Sequence, residues 1–189
     1  MIKREIRVLG ISCTKPHPRR ADPVQVVGVV YRGNRWLEGV MRIAMPSKVT
    51  DLTSRIARMV TRSSHYPQLR VIGLDELVTK SGSYVDIEAL SRKTRLPVLA
   101  VLRRKALTER LRKTPAKFSQ RTLKQFAKLP AANWEAGGKK FSVYFAGLGK
   151  IDLEELLGVC ASREGPPEAV RVARITASSL EKFLRRRAP

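Results

Sequence analysis

The run VQVVGVVY at residues 24–31 constrains this chain more than any other stretch. Five valines in eight residues crowd a helix and suit a pleated strand. Apolar side chains at both alternating positions leave neither face of that strand fit for water, so layers must cover it on both sides. Two more strands flank it, at residues 5–12 and 36–45, with Gly33-Asn34 as the turn before the last. An antiparallel three-strand meander is therefore expected.

Downstream, the pattern alternates. Asp51 is placed to cap a helix whose Leu52, Ile56, Met59 and Val60 form one stripe. A short strand at 70–74 ends at Asp75, a helix follows around 85–94, and a strand at 97–102 runs into Arg103. Two basic helical segments are expected near 106–113 and 119–128, then a strand at 141–145. Leu153, Leu156, Leu157 and Cys160 mark an amphipathic helix. After Gly165-Pro166-Pro167 comes a last helix with Val172, Ile175, Leu180, Phe183 and Leu184 as its apolar positions. A meander followed by alternating helix and strand is the order of an RNase H-like α/β domain with a mixed sheet. A dinucleotide-binding fold would alternate from the start and carry a glycine fingerprint, and neither is present. We expect one domain over residues 1–189, with a core over about 5–150 and C-terminal helices over 151–189.

The chain carries 38 Lys+Arg against 16 Asp+Glu, a formal net charge of +22. With 43% hydrophobic residues it can still build a core, which excludes a wholly disordered basic tail. Such an excess repels itself unless a polyanion neutralises it, which disfavours a solitary small-molecule enzyme. Nucleic acid is the expected partner. A membrane is not, because no helix pairs a basic face with exposed bulky aromatics. No apolar run spans a bilayer, and Glu5 and Arg7 break the N-terminal apolar stretch, so a cytoplasmic protein without a signal peptide is expected. Cys13 and Cys160 lie far apart and His17 and His65 are the only histidines, so reduced thiols, no structural metal and no cofactor are expected. Arginine outnumbers lysine and asparagine occurs only at 34 and 133, a lean towards a heat-adapted source.

The segments VLGISCTKP, VVGVVYRGNRWLEGVM, LRVIGLDELVTKSGSYVDIEAL, RLPVLAVLRRK and PPEAVRVARITASSL resemble, in order, an archaeal family related to endonuclease V. The resemblance spans most of residues 5–180. It implies an RNase H-like fold whose strand ends hold a nuclease-type site, with acidic residues binding a divalent metal that activates water. Position by position, the site is altered. Where the family's first strand ends Gly-Ile-Asp, this chain has Gly10-Ile11-Ser12. The acid after the fourth strand is kept as Asp75. Arg103 stands where endonuclease V-like proteins carry lysine, and Arg174 where relatives carry Asp or His. Mg²⁺ held by Asp75 alone competes poorly with water. Asp22, Glu76 and Asp86 are the candidate substitutes, Asp86 doubling as a residue at a helix N-terminus. Asp75 is expected to pair with Arg103 or Arg174 rather than to catalyse.

Residues 103–128 hold ten cations, Arg103, Arg104, Lys105, Arg110, Arg112, Lys113, Lys117, Arg121, Lys124 and Lys128, against Glu109 alone. Lys15, Arg19, Arg20, Lys139, Lys140, Arg185, Arg186 and Arg187 extend the candidate nucleic-acid surface. Trp36 and Phe183 fall in apolar patterns and read as core. Trp134 and Tyr84 could stack on a base or pack internally. Few stacking platforms and many guanidinium groups favour a reader of backbone and shape over a single-strand binder. The expected function is non-catalytic binding of structured RNA, within a particle of ribosomal RNA and ribosomal proteins, with DNA as runner-up. The alternative is an active metal-dependent endonuclease with a rearranged site centred on Asp75.

Overall fold

The computed structural model describes residues 2–15, 23–46, 51–77, 79, 83–103, 128–162 and 165–187, with Arg103 and Arg187 described by backbone alone. The meander forms as expected: β1 (Arg7–Cys13), β2 (Val24–Arg32) and β3 (Trp36–Met45) pair antiparallel in succession. Then come α1 (Leu52–Thr61), β4 (Val71–Leu74), α2 (Ile87–Thr94) and β5 (Val98–Arg103). β4 pairs parallel with both β1 and β5. A hairpin of β6 (Ala131–Ala136) and β7 (Lys139–Ala146) adds antiparallel to β5, giving one seven-stranded sheet of order β3-β2-β1-β4-β5-β7-β6. α3 (Lys150–Cys160), a two-stranded ribbon of β8 (Ala161–Ser162) and β9 (Gly165–Pro167), and α4 (Glu168–Arg187) complete the described chain.

Helices cover the sheet on both faces, as the valine run demands. On one face Leu9, Ile11, Val26 and Ile72 pack with Ile56 and Val60 of α1 and with Ile87 and Leu90 of α2. On the other, Val8, Val71, Leu99, Val101 and Val143 pack with Leu153, Leu156, Leu157 and Cys160 of α3, all four of the expected stripe. Val27 and Val29 lie under Ala173 and Ala177 of α4. Asp51 caps α1, its Oδ1 accepting from the Ser54 amide at 3.1 Å.

α4 lies against the sheet because two strand residues lack side chains. A Cβ on Gly10 would stand 2.0 Å from the Ala169 carbonyl oxygen, and one on Gly73 would stand 2.6 Å from Val170 Cγ2. From there α4 runs along β1. Its Glu181 carboxylate accepts the Lys15 amide at 3.1 Å. The two paths match, since twelve helical residues rise about 18 Å and five strand residues about 17 Å.

Three expectations change. Trp36 is 61% exposed, because β3 is the edge strand and its first residues extend past any covering helix. Phe183 is 49% exposed and Ile175 and Leu184 are exposed too, because small residues seat α4. The buried positions are Ala169, Val170, Ala173 and Ala177, with Val172 and Leu180 only partly buried. β6 was not expected at all. Its sequence, AANWEA, carries little β-branched character, and it forms by pairing along β7.

Candidate nucleic-acid interface at the strand ends

The parallel register that pairs Ile11 with Leu74 sets Ser12 beside Asp75 at the ends of β1 and β4. Alternation turns both side chains to the α4 face, the face that Gly10 and Gly73 present to the helix. There the Ser12 hydroxyl donates to Asp75 Oδ2 at 2.8 Å, and Ser12 is buried. The Asp75 amide donates to the Ile11 carbonyl at 3.3 Å, which fixes the turn-out of the chain. Glu76 follows, partly exposed. Burial pushes the neighbouring Cys13 thiol well above its ordinary range, and the charges of Asp75 and Glu76 push it further. The end of β1 is thus a local negative spot on a cationic protein.

Asp86, the other described candidate ligand, serves the fold. Its Oδ1 accepts the Ala89 amide at 2.9 Å as the cap of α2, while its own amide donates to Thr53 Oγ1 at 3.0 Å. Asp22 lies outside the described residues. A hard divalent cation needs several oxygen ligands with enough negative charge to replace its water. Among the described residues no three His, Cys, Asp or Glu side chains converge. Asp75 Oδ2 already accepts the Ser12 proton. Among the described residues this strand end offers Mg²⁺ only Asp75 and Glu76, too few ligands to hold it without phosphate oxygens from a bound substrate.

Several expected cations gather at this end. Lys15 is exposed just past β1. Arg103 pairs with Phe141 in the sheet, so Lys140 and Lys139, both exposed, lie just beyond it. Arg185 and Arg186 are exposed near the end of α4, Arg185 standing 2.9 Å from the Glu181 carboxylate that also holds the Lys15 amide. Arg174 is exposed one turn beyond Val170, and one turn of about 5.4 Å brings it level with Asp75, two strand residues beyond Gly73.

Lys128 is not part of the group. Its chain enters β6 at Ala131, opposite Tyr144, with Pro130 accepting the Phe145 amide, so Lys128 lies toward the other end of the sheet. The basic run therefore starts at one end of the sheet and finishes near the other. Arg19, Arg20, Arg104, Lys105, Arg110, Arg112, Lys113, Lys117, Arg121 and Lys124 lie outside the described residues, as does the side chain of Arg187. Trp134 packs on Phe141 with ring centroids 5.4 Å apart, and Tyr84 packs partly buried against the core. Glu181 was missed by sequence reasoning. Only its acidic character in an Arg-rich tail could have drawn attention to it.

Among solved structures, an Archaeoglobus fulgidus protein of unknown function superposes with a TM-score of 0.76 at 26% identity, covering 93% of this chain and 98% of that one. Ciona intestinalis endonuclease V, bound to a 24mer DNA containing an inosine followed by a ribo-adenosine, gives a TM-score of 0.61 at 10% identity over 96% and 86% of the two chains. That likeness establishes the endonuclease V-like fold, and with it the fold class expected from the order of elements. The UPF0215 proteins of Methanosarcina acetivorans and Methanothermobacter thermautotrophicus are 34% and 35% identical over 95% of this chain, and over 92% and 89% of their own lengths. The endonuclease dU family matches residues 4–181. Family match, archaeal relatives and fold agree with the resemblance carried by the five segments, and the chain belongs to the endonuclease dU family.

Proposed function

We propose that this protein is a nucleic-acid-binding member of its family that does not hydrolyse its ligand. The reading rests above all on the Ser12–Asp75 hydrogen bond. Ser12 stands where the resemblance places the leading carboxylate, and its hydroxyl donates a hydrogen bond to Asp75 Oδ2, leaving the site one acid short. The exposed Lys15, Lys139, Lys140, Arg174, Arg185 and Arg186 at this end of the sheet support the reading, since cations there can neutralise phosphates. Arg104, Lys105 and the other cations up to Lys124, outside the described residues, follow Arg103 in sequence. No metal or other cofactor enters this reading, and a cytoplasmic location goes with it.

The favoured ligand is structured RNA, with ribosomal RNA and its proteins as the assembly that best suits a small protein of charge +22. Phosphate contacts carry no sequence information, so the polymer has to be identified directly. Ultraviolet crosslinking in cells, followed by sequencing of the bound nucleic acid, should recover RNA from structured transcripts. Recovery of chromosomal DNA alone would refute that choice.

A second reading is metal-dependent cleavage of DNA or RNA, for which the family name supplies dU as the first substrate to try. The adjacency of Asp75 and Glu76 at the strand end favours it, since together they could share a metal held largely through the ligand's own phosphates.

A further inference from the structure

The strand ends are not the only cationic concavity. Between the edge strand β3 and α1 runs a groove of about 550 Å³. Arg55, Arg58 and Arg62 line it from the helix, and Arg42 borders it from the strand, its side chain alternating to the opposite face of the sheet from Met41 and Ile43. The three helical arginines stand at i, i+3 and i+7, which places them along one side of α1 over about 10 Å of axis. All four arginines are exposed. No Asp or Glu lines the groove, and among the described residues none of the four takes part in an ion pair. Met59 forms part of its apolar wall. His65 closes one end against β3. A Cβ on Gly39 would stand 2.3 Å from His65 Nε2, so the glycine is what lets the imidazole lie on the strand.

This groove does not belong to the strand-end site. Ser12 and Asp75 face α4, whereas α1 lies on the other face of the sheet. β3 is also separated from β1 by the whole of β2. Asp51 at the start of α1 offsets Arg55 in part, but no acid stands by Arg58 or Arg62 in the groove lining, and guanidinium groups held together repel one another. They could guard the exposed strand edge against pairing with another sheet. Guarding an edge, however, needs charge on the strand, and three of the four arginines are on the helix.

We infer that the β3–α1 groove is a second binding surface for the phosphate backbone of nucleic acid, engaged by Arg55, Arg58 and Arg62. This rests on the reading that nucleic acid is the ligand, and it adds a contact on the opposite face of the sheet. Three guanidinium groups over about 10 Å match roughly three phosphate steps of a duplex strand, at about 3.4 Å of axis each. A folded RNA whose arms reach both faces of the sheet should then bind more tightly than a single straight duplex, since the second contact becomes intramolecular.

The test is charge reversal in the full chain, R55E/R58E/R62E, with affinity for a fluorescent RNA hairpin and for a DNA duplex measured across a salt series. Loss on the order of a hundredfold at fixed salt is expected. The slope of log K against log salt for the duplex should shrink by about 2.7, three phosphate contacts at about 0.9 each. The neutral variant R55Q/R58Q/R62Q, whose far-ultraviolet spectrum should match the unmodified protein, should show an intermediate loss. Unchanged affinity and slope in variants that remain folded would overturn the inference and leave the strand-end reading intact. So would loss of binding to poly-glutamate or to phosphatidylserine vesicles with nucleic-acid binding retained. If the unmodified protein bound neither RNA nor DNA, the proposed function itself would fall.

Discussion

The two cationic regions are built on opposite principles. At the strand ends acids stand among the cations: Asp75 accepts from Ser12, and Glu181 accepts the Lys15 backbone amide and pairs with Arg185. In the β3–α1 groove the arginines project from α1 with no acid among the lining residues. The strand ends hold Asp75, the acid that the resemblance places in the site, with cations around it. The groove carries charge without any trace of chemistry. If the proposed readings hold, an altered catalytic site and a surface that only holds a polyanion are told apart by where their acids are.

The most severe way to break this comparison is at Gly10. Valine there would drive its side chain into the Ala169 carbonyl and lift α4 from β1, taking Arg174, Glu181 and Arg185 with it. A loss of about 3 kcal/mol or more is expected in urea unfolding. A near-neutral Gly10→Val would mean that α4 is not seated as described.

Next in size is the double reversal K139E/K140E at the hairpin tip. It should weaken duplex binding by about tenfold and reduce the salt slope by about 1.8, two phosphate contacts at about 0.9 each. A full effect here with none from the helical arginines would confine binding to the strand ends.

The smallest effect is chemical. Burial pushes the Cys160 thiol up to about 12, against an ordinary value of 9.0. Its proton is thus retained in the folded chain and lost in the unfolded one between those values. Stability from this group is fully present below pH 9 and declines as pH rises towards 12. Cys160, buried under α3, should resist alkylation at pH 8 until denaturant is added. Ready modification of the native protein would show that α3 opens and that this side of the sheet is less closed than described.

The sequence carried most of the architecture. β-branched runs announce strands, and helix stripes such as Leu153, Leu156, Leu157 and Cys160 need no tertiary information. β6 was hidden because AANWEA becomes a strand only by pairing along β7. The stripe of α4 was misplaced because Gly10 and Gly73 select small residues beneath the helix, while the bulky ones lie further along in solvent. At the site, Ser12 standing where the resemblance implies an acid was legible, but its bond to Asp75 depends on the parallel register of β1 and β4. Glu181 and the groove arginines were not found, since one lies far along the chain from Lys15 and the others belong to a helix read only for its apolar stripe.

The central claim is binding without hydrolysis, and a cleavage assay tests it most directly. Labelled structured RNA, and duplex DNA carrying a single deoxyuridine, would be incubated with excess protein and with Mg²⁺ or Mn²⁺, next to the Asp75→Ala variant. The account predicts that both proteins shift the nucleic acid in a gel and that neither cuts it, with Asp75→Ala binding as well as the unmodified protein or slightly better. Metal-dependent strand cleavage by the unmodified protein, abolished by Asp75→Ala, would contradict it.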